Sequence, residues 1–317
     1  MSANVDKMMY VGEVPWHGEG KKLDKVATSA EAIEAASLDW EVKKMPLFIE
    51  VNGQHEEVKG KFATVRSDRN KPLGVVGKVY TPLQNKEAFS FFDGIVGVKE
   101  AMYHTAGSLG DGEKVWILAK LPGYIQVKGD DVVDKYLLLA NSHDGSSAVE
   151  MMFTPIRVVC QNTLNMAINA SVGETSRVRH TRSLMVRVEE VREQLGIIKY
   201  QYDMFEQLSQ KMANIQMNKE KFQNYLETIG AVRKQDEEEE MSTRTKNNLD
   251  TFFELFEHGK GNDLPGIKHT LWAGYNSVVE HVDYIRGSNK NRTKSLLYGS
   301  GADLKQRAWD KAVEWVA

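Results

Sequence analysis

EVKKMPLFIEVNGQHEEVKGKFATVRSDRNKPLGVVGKVYTPL, residues 41–83, decides the fold of this chain. Short runs rich in Val, Ile, Phe and Thr are cut at Asn52-Gly53, between Ser67 and Pro72, and at Thr81-Pro82. That punctuation predicts a meander of three or four antiparallel strands. Working outward, the turn-rich GEVPWHGEGKKL (12–23) leads into TSAEAIEAASLDW (28–40), where Ser29 and a run of good helix formers predict a short helix. On the other side, NKEAFSFFDGIVG (85–97) places Ala88, Phe91, Phe92 and Ile95 on one helical face. A second β-rich block follows, AMYHTAGSLGDGEKVWILAKLPGYIQV (101–127), with a hairpin signal at Gly110-Asp111-Gly112. DKYLLLA and AVEMMFTP then flank NSHDGSSA (141–148). The expectation is an α+β protein whose residues 1–183 form one continuous antiparallel sheet domain with packed helices.

The second half reads as helical. TPIRVVCQNTLNMAINAS (154–171) opens on a proline and predicts a helix packed on the sheet. Leu184, Val188, Val191, Leu195, Ile198, Tyr202, Phe205, Leu208, Met212 and Ile215 recur every three or four residues, predicting a long amphipathic helix over 184–217 with an interruption at Gly196. The polar, acidic stretch 235–248 reads as a linker, and residues 249–317 carry three further helical patterns.

Composition narrows the functional classes. The chain has 317 residues, 41% of them hydrophobic, enough for a sizeable core. No uninterrupted apolar stretch approaches the roughly 18 residues of a membrane span, and MSANVDKMMY lacks the plan of a secretory signal, so a cytoplasmic protein with no membrane contact is expected. A single cysteine, Cys160, forms no internal disulfide and excludes cysteine-based zinc folds. No cofactor or metal is expected, because the histidines show no metal-ligand spacing and no phosphate-binding glycine loop follows a strand.

NSHDGSSA concentrates an amide, hydroxyls, an imidazole and a carboxylate between two apolar runs. It lacks a nucleophile elbow, and residues this close in a tight turn do not assume triad geometry. Asp144-Gly145 reads as the centre of a hairpin turn, with Asn141, Ser142 and Ser146 bonding local backbone. Asn141, His143, Asp144 and Asn162 nevertheless form a candidate ligand loop, since polar loops on a rigid sheet often touch ligands. Cys160, behind two valines, reads as a buried thiol; an enzyme would require it to converge with His143, Asp144 and Asn162.

Positive charge is more informative than the net charge of −3. RVRHTRSLMVR (177–187) contains Arg177, Arg179, Arg182 and Arg187 and no acid, a stripe suited to phosphates. Lys43, Lys44, Lys59, Lys61, Arg66, Arg69, Lys71 and Arg157 add basic positions near Trp40, Phe48, Phe62 and Tyr80, a mixture that suits single-stranded nucleic acid.

YVGEVPWHGEGKKL, LDWEVKKMPLF, VVGKVYTPLQNKEAF, TAGSLGDGEKVWILAKLPG, LLLANSHDGSSAVEMMFTPIRVVCQNTLNMA and SGADLKQRAWD together resemble the phage/plasmid-like family built on domain of unknown function nine-three-two. That resemblance spans nearly the whole chain and implies origin in a bacteriophage or plasmid, without supplying an activity. At the level of element order, a helix followed by LDW and a basic meander is similar to the core of Rad fifty-two type single-strand annealing proteins. The analogy implies an oligomer with a basic groove to which Lys61 and Arg66 would contribute. The expected function is therefore single-stranded DNA binding and annealing in recombination or replication. Lys61, Arg66, Arg157, Arg177, Arg179 and Arg182 would hold phosphates, Trp40 or Phe62 would stack bases, and the long helix would mediate self-association. An enzyme or host-defence antagonist with a site around His143, Asp144 and Cys160 is the alternative, and a helical scaffold binding a partner is a third.

Overall fold

The computed structural model describes residues 4–12, 19–25, 27–96, 102–157, 162–163, 176–178, 188–233, 242–287, 295 and 299–316. The strands are β1 (Val5–Val11), β2 (Lys21–Leu23), β3 (Val42–Val51), β4 (Gln54–Arg66), β5 (Lys71–Gly77), β6 (Met102–Leu109), β7 (Lys114–Lys128), β8 (Asp131–Ser142), β9 (Val149–Phe153), β10 (Ile156–Arg157), β11 (Asn162–Thr163) and β12 (Ser176–Val178). The helices are α1 (Ser29–Ala35), α2 (Asn85–Val96), α3 (Val188–Met212), α4 (Lys219–Thr228), α5 (Thr243–His258), α6 (Leu271–Glu280) with a π-helical turn His281–Ile285, and α7 (Ser300–Val316). The protein is α+β, as its patterning predicts. Among the described residues, no helix is long and apolar enough to cross a membrane.

The strands form two sheets in place of the single sheet expected. The meander closes on itself as β3-β4-β5, while the larger sheet runs β11-β10-β8-β7-β6-β1-β2, with β9 joined to β8 and β12 to β9. One pair, β1 with β2, is parallel. Within the meander, Asn52 (φ 52) and Gly53 (φ 79) give the primed turn that an Asn-Gly hairpin requires. Further along, Pro46 pairs with Phe62 and Phe48 with Glu57, so Leu47 faces the whole bulge Val58–Lys61. The helix after the opening turns is capped one residue earlier than Ser29. Thr28 Oγ1 accepts from Glu31 N–H at 3.3 Å while the Glu31 carboxylate accepts from Thr28 N–H at 2.9 Å.

The chain divides into two compact units that interleave along the sequence and do not part at residue 183. Unit 1 comprises Met1–Leu121, Tyr136–Met152 and Gly173–Ile197; unit 2 comprises Pro122–Lys135, Phe153–Val172 and Ile198–Ala317. In unit 1 α1 packs on α2, β1 and β6, burying Ala32, Phe89, Met9 and Tyr103 completely. The meander meets the 143–145 turn face to face through small residues. A Cβ added to Gly74 would lie 2.5 Å from the Asp144 carbonyl oxygen, and one added to Gly145 2.8 Å from Val76 Cγ1.

In unit 2 all ten residues of α6 are buried. Around it sit Phe205, Phe222, Phe252, Phe256 and Tyr225, each fully buried, and Gly274 leaves room for Met217, whose Sδ a Cβ would approach to 2.8 Å. Two buried polar pairs pin this core. Trp272 Nε1–H donates to Asp131 Oδ2 at 2.7 Å, and Lys305 Nζ meets Asp283 Oδ1 at 2.8 Å with side chains 0% and 5% exposed.

Three expectations change here. Residues 156–163 are not helical where described: Ile156 pairs with Thr163 and Arg157 with Asn162, and β10 also adds to β8, because β-branched residues find an open strand edge there. Residues 164–171 lie outside the described residues. The amphipathic helix spans 188–212, shorter at both ends than its periodicity suggests. Tyr202, Phe205 and Met212 are buried, with Phe205 against Phe153, Trp272 and Trp309. Of the expected linker 235–248, the part from Thr243 is helix α5, started by Ser242, whose Oγ accepts from Thr245 N–H at 3.2 Å.

Candidate functional site

Arg66 ends β4 at the inner face of the meander, directed inward by strand alternation. Its Nη1 donates to Asp6 Oδ2 at 2.7 Å and to the Asp111 carbonyl at 2.8 Å, its Nε to Asp68 Oδ1 at 2.7 Å, and its guanidinium lies 4.3 Å from the Trp40 ring centroid. The side chain is 1% exposed. Burial works to lower its pKa, and the hydrogen bonds and charges of Asp68 and Asp6 more than offset this, so it stays above the ordinary value. The Asp68 carboxyl is in turn held below its usual range, chiefly by the Arg66 hydrogen bond. Arg66 is thus a structural node, which corrects its expected place in a phosphate groove. Trp40, 5% exposed beneath it, is likewise not available to stack a base. Gly112, at φ 114, lets the β6–β7 turn approach this node; a Cβ would lie 3.1 Å from both Arg66 Nη1 and Trp40.

The loop NSHDGSSA is a hairpin turn between β8 and β9, as its residues predict. Asp144 organises it: its Oδ1 accepts from Ser142 Oγ–H and, at 2.9 Å, from Ser146 N–H, while Lys114 Nζ donates to Ser146 Oγ at 2.7 Å. Burial works to raise the Asp144 pKa; the bonds from Ser142 and Ser146 and the charge of Lys114 outweigh it and hold the carboxyl below its ordinary value. His143 is 0% exposed. Its N–H donates to the Glu113 carbonyl at 2.7 Å, and its ring meets Trp40 edge-on at 5.3 Å between centroids. Asn85 Nδ2–H donates to the Leu38 carbonyl, and Asn85 Oδ1 faces His143 Nε2, 3.0 Å away. Asn141 Nδ2–H donates to the Leu83 carbonyl at 3.0 Å, far along the chain and not to local backbone as the turn reading expects. Asn141 and His143 therefore tie α2 and its approach to the sheet, and an imidazole buried in this way is not presented to a substrate.

The remaining basic positions separate clearly. Lys44 Nζ donates to the carbonyls of Lys78 at 2.7 Å and Tyr80 at 2.9 Å and lies over Phe62, at 4.6 Å, so both are occupied. Arg69 pairs with Asp6 at 2.9 Å and Lys71 with Asp111 at 3.2 Å. Lys43, Lys59 and Lys61 are exposed, and among the described residues none has a carboxylate within ion-pair distance. Lys43 and Lys61 share the outward face of the meander. Its middle row is Met45, Ala63 and Val75, with Lys43 one row to one side and Lys61 one row to the other. Met45 and Val75 are 49% and 56% exposed, and beyond them Phe48 and Ile49 stand out on opposite sides of the β3–β4 ribbon, 53% and 51% exposed. The register of β4 with β3 and β5 creates this arrangement, which no contiguous motif announces.

Arg157 and Asn162 have their backbones paired in β10 and β11 of unit 2, and Arg177 sits in β12 opposite Glu150. Arg179, Arg182 and Cys160 lie outside the described residues. Among the described residues, no group of three or more His, Cys, Asp or Glu side chains is placed to hold a metal ion.

Residues 72–309 match the family model described as Domain of unknown function (DUF932), and the chain belongs to that family. No curated protein and no solved structure matches.

Proposed function

We propose that this member of the family is a phage- or plasmid-encoded protein that binds and anneals single-stranded DNA in recombination or replication, working as a homo-oligomer in the bacterial cytoplasm. The observation that carries the reading is the outward face of the meander, where exposed Lys43 and Lys61 flank the apolar row of Met45 and Val75. Lysines without acidic partners hold phosphates, and an apolar row between them accepts the faces of bases of any sequence. Ile49, which strand alternation puts on the same side of β3 as Lys43 and Met45, extends the apolar row that buried Trp40 and covered Phe62 do not supply. Arg177, Arg179 and Arg182 enter on sequence grounds, as an acid-free basic run. Annealing requires a strand held extended with its base edges free, and no covalent step.

The test is fluorescence anisotropy of a labelled 30-mer single strand and its duplex at two salt concentrations, with the protein and its Lys43→Glu/Lys61→Glu variant. Each phosphate contact contributes about −0.7 to the slope of log K against log salt for single strands, so the double variant should lose about 1.4 of that slope. Absence of binding at low salt, or an unchanged slope in the variant, would overturn the proposal.

A further inference from the structure

We infer that unit 2 carries a second anion site, a lysine-ringed cleft that takes a phosphate group. The cleft has a volume of about 530 Å³ and is lined by Asn218, Lys219, Lys221, Glu257 and His269, together with Gln216 and Met217. It lies within the roughly 300–1,000 Å³ range of small-molecule sites. Beside it, Glu257 is surrounded by nitrogen groups: His269 Nε2 at 2.8 Å, and the Lys219 and Lys268 ammonium groups, each with Nζ 3.7 Å away. The hydrogen bond from His269, and then the charges of His269, Lys219 and Lys268, hold the Glu257 carboxyl below its usual range. Lys221 is exposed on the same cleft, and among the described residues no carboxylate lies within ion-pair distance of it. Two lysines therefore share one carboxylate and a third stands nearby without one, an excess of positive charge at a place where a single ion pair would suffice for stability.

The backbone is arranged to maintain this cluster. His269 has a left-handed φ of 57, a strained conformation for a residue other than glycine. It is fixed by its carbonyl, which accepts from Met217 N–H at 2.8 Å, and by the Gln216–Thr270 bridge. The ring consequently rests on Phe256, 5.6 Å between centroids, with its Nε2 directed at Glu257 and 46% of the side chain still exposed. Lys219 and Lys268 are 62% and 45% exposed, so their ammonium groups can turn from Glu257 to an incoming anion. Lysine suits a phosphate as a mobile point charge with rotatable donors. Glu257 has two consequences: it keeps the cations gathered, and it competes with the ligand for them.

This inference does not depend on the meander face, and its test separates the two. The full chain is titrated calorimetrically with inorganic phosphate and with adenosine 5′-monophosphate, and by anisotropy with the 30-mer. Lys219→Ala/Lys268→Ala should weaken at least one of these probes tenfold or more, and Glu257→Gln should strengthen the same probe several-fold by removing the competing carboxylate. Loss confined to the free phosphates identifies a small phosphorylated ligand; loss confined to the 30-mer identifies a strand's own phosphates. The Lys43→Glu/Lys61→Glu variant should leave the cleft's response intact, whatever it does to the 30-mer. Circular dichroism confirms that each variant is folded. The inference is overturned if no probe responds to the lysine pair, or if Glu257→Gln leaves binding unchanged or weaker.

Discussion

Gly74→Ala isolates the contact that seats the meander on the 143–145 turn. The new Cβ would lie 2.5 Å from the Asp144 carbonyl oxygen, 2.6 Å from its Cα and 2.8 Å from its carbonyl carbon, whereas ordinary contact begins near 3.4 Å. The atoms met are backbone, so relief requires the sheet or the turn to move by about 0.9 Å, the difference between the 3.4 Å and 2.5 Å figures. Overpacking of this kind costs about 1–3 kcal/mol. Replacing glycine by alanine returns about 0.4–1 kcal/mol by restricting the unfolded chain. The net expectation is a loss of about 1–2 kcal/mol. Gly77, on the same strand, has nothing within 4 Å of the equivalent Cβ, so Gly77→Ala should be neutral or slightly stabilising. Hydrogen exchange measured by mass spectrometry on peptides covering 71–77 and 141–150 reads the local opening directly. At about 1.4 kcal/mol per factor of ten, exchange there should speed up roughly 5–30-fold in Gly74→Ala and not in Gly77→Ala. Equal exchange in the two variants would refute the docking argument.

Two further predictions concern buried charge. Asp6→Ala should leave Arg66, 1% exposed, with a single carboxylate partner in place of two, and thermal or urea unfolding should show a loss approaching about 3 kcal/mol, the lower end for a broken buried pair. A loss below about 1 kcal/mol would show that Asp68 alone suffices. His281, packed against Phe252 at 4.2 Å, is pushed down to about 4, first by burial and then by Arg286. Its folded pKa lies below the unfolded value near 6.5, so the unfolded state binds the proton more readily. The contribution is complete above about pH 6.5 and is lost as pH falls through 4, amounting to about 3 kcal/mol at 1.36 kcal/mol per unit. Urea midpoints at pH 7.5 and 4.5 for the protein and His281→Gln should show a smaller acid loss in the variant; identical losses would contradict it.

The sequence was most legible where periodicity and punctuation act locally. Asn52-Gly53 announced the β3–β4 hairpin, since primed turns need positive φ at both positions, and Gly110-Asp111-Gly112 announced the β6–β7 turn. The 3-4 spacing located α3, α6 and α7 to within a few residues and the second half of α5, while α4 had no expectation attached. Local signals failed at Ile156-Arg157 and Asn162-Thr163, where the proline start and apolar spacing suited a helix but strand pairing took place. They also failed at 243–248, where the Ser242 cap was hidden in an acidic run. Charge was harder to read than shape. Arg66 and Lys61 lie five residues apart on one strand, and only their register and parity send one against Trp40 in the interior and the other to the surface.

What the sequence determined by itself is the meander, the hairpins, most of the helices, the α+β class and the family, because hydrophobic period, turn chemistry and block order are encoded in neighbouring residues. Tertiary structure alone decided that the meander is a separate sheet, that His143 and Arg66 are interior, and that Lys43 and Lys61 flank an apolar row. It also decided that Lys219, Lys268 and His269 converge on Glu257. Those outcomes depend on pairing register and on burial between residues distant in the chain, and neither quantity has a local signature.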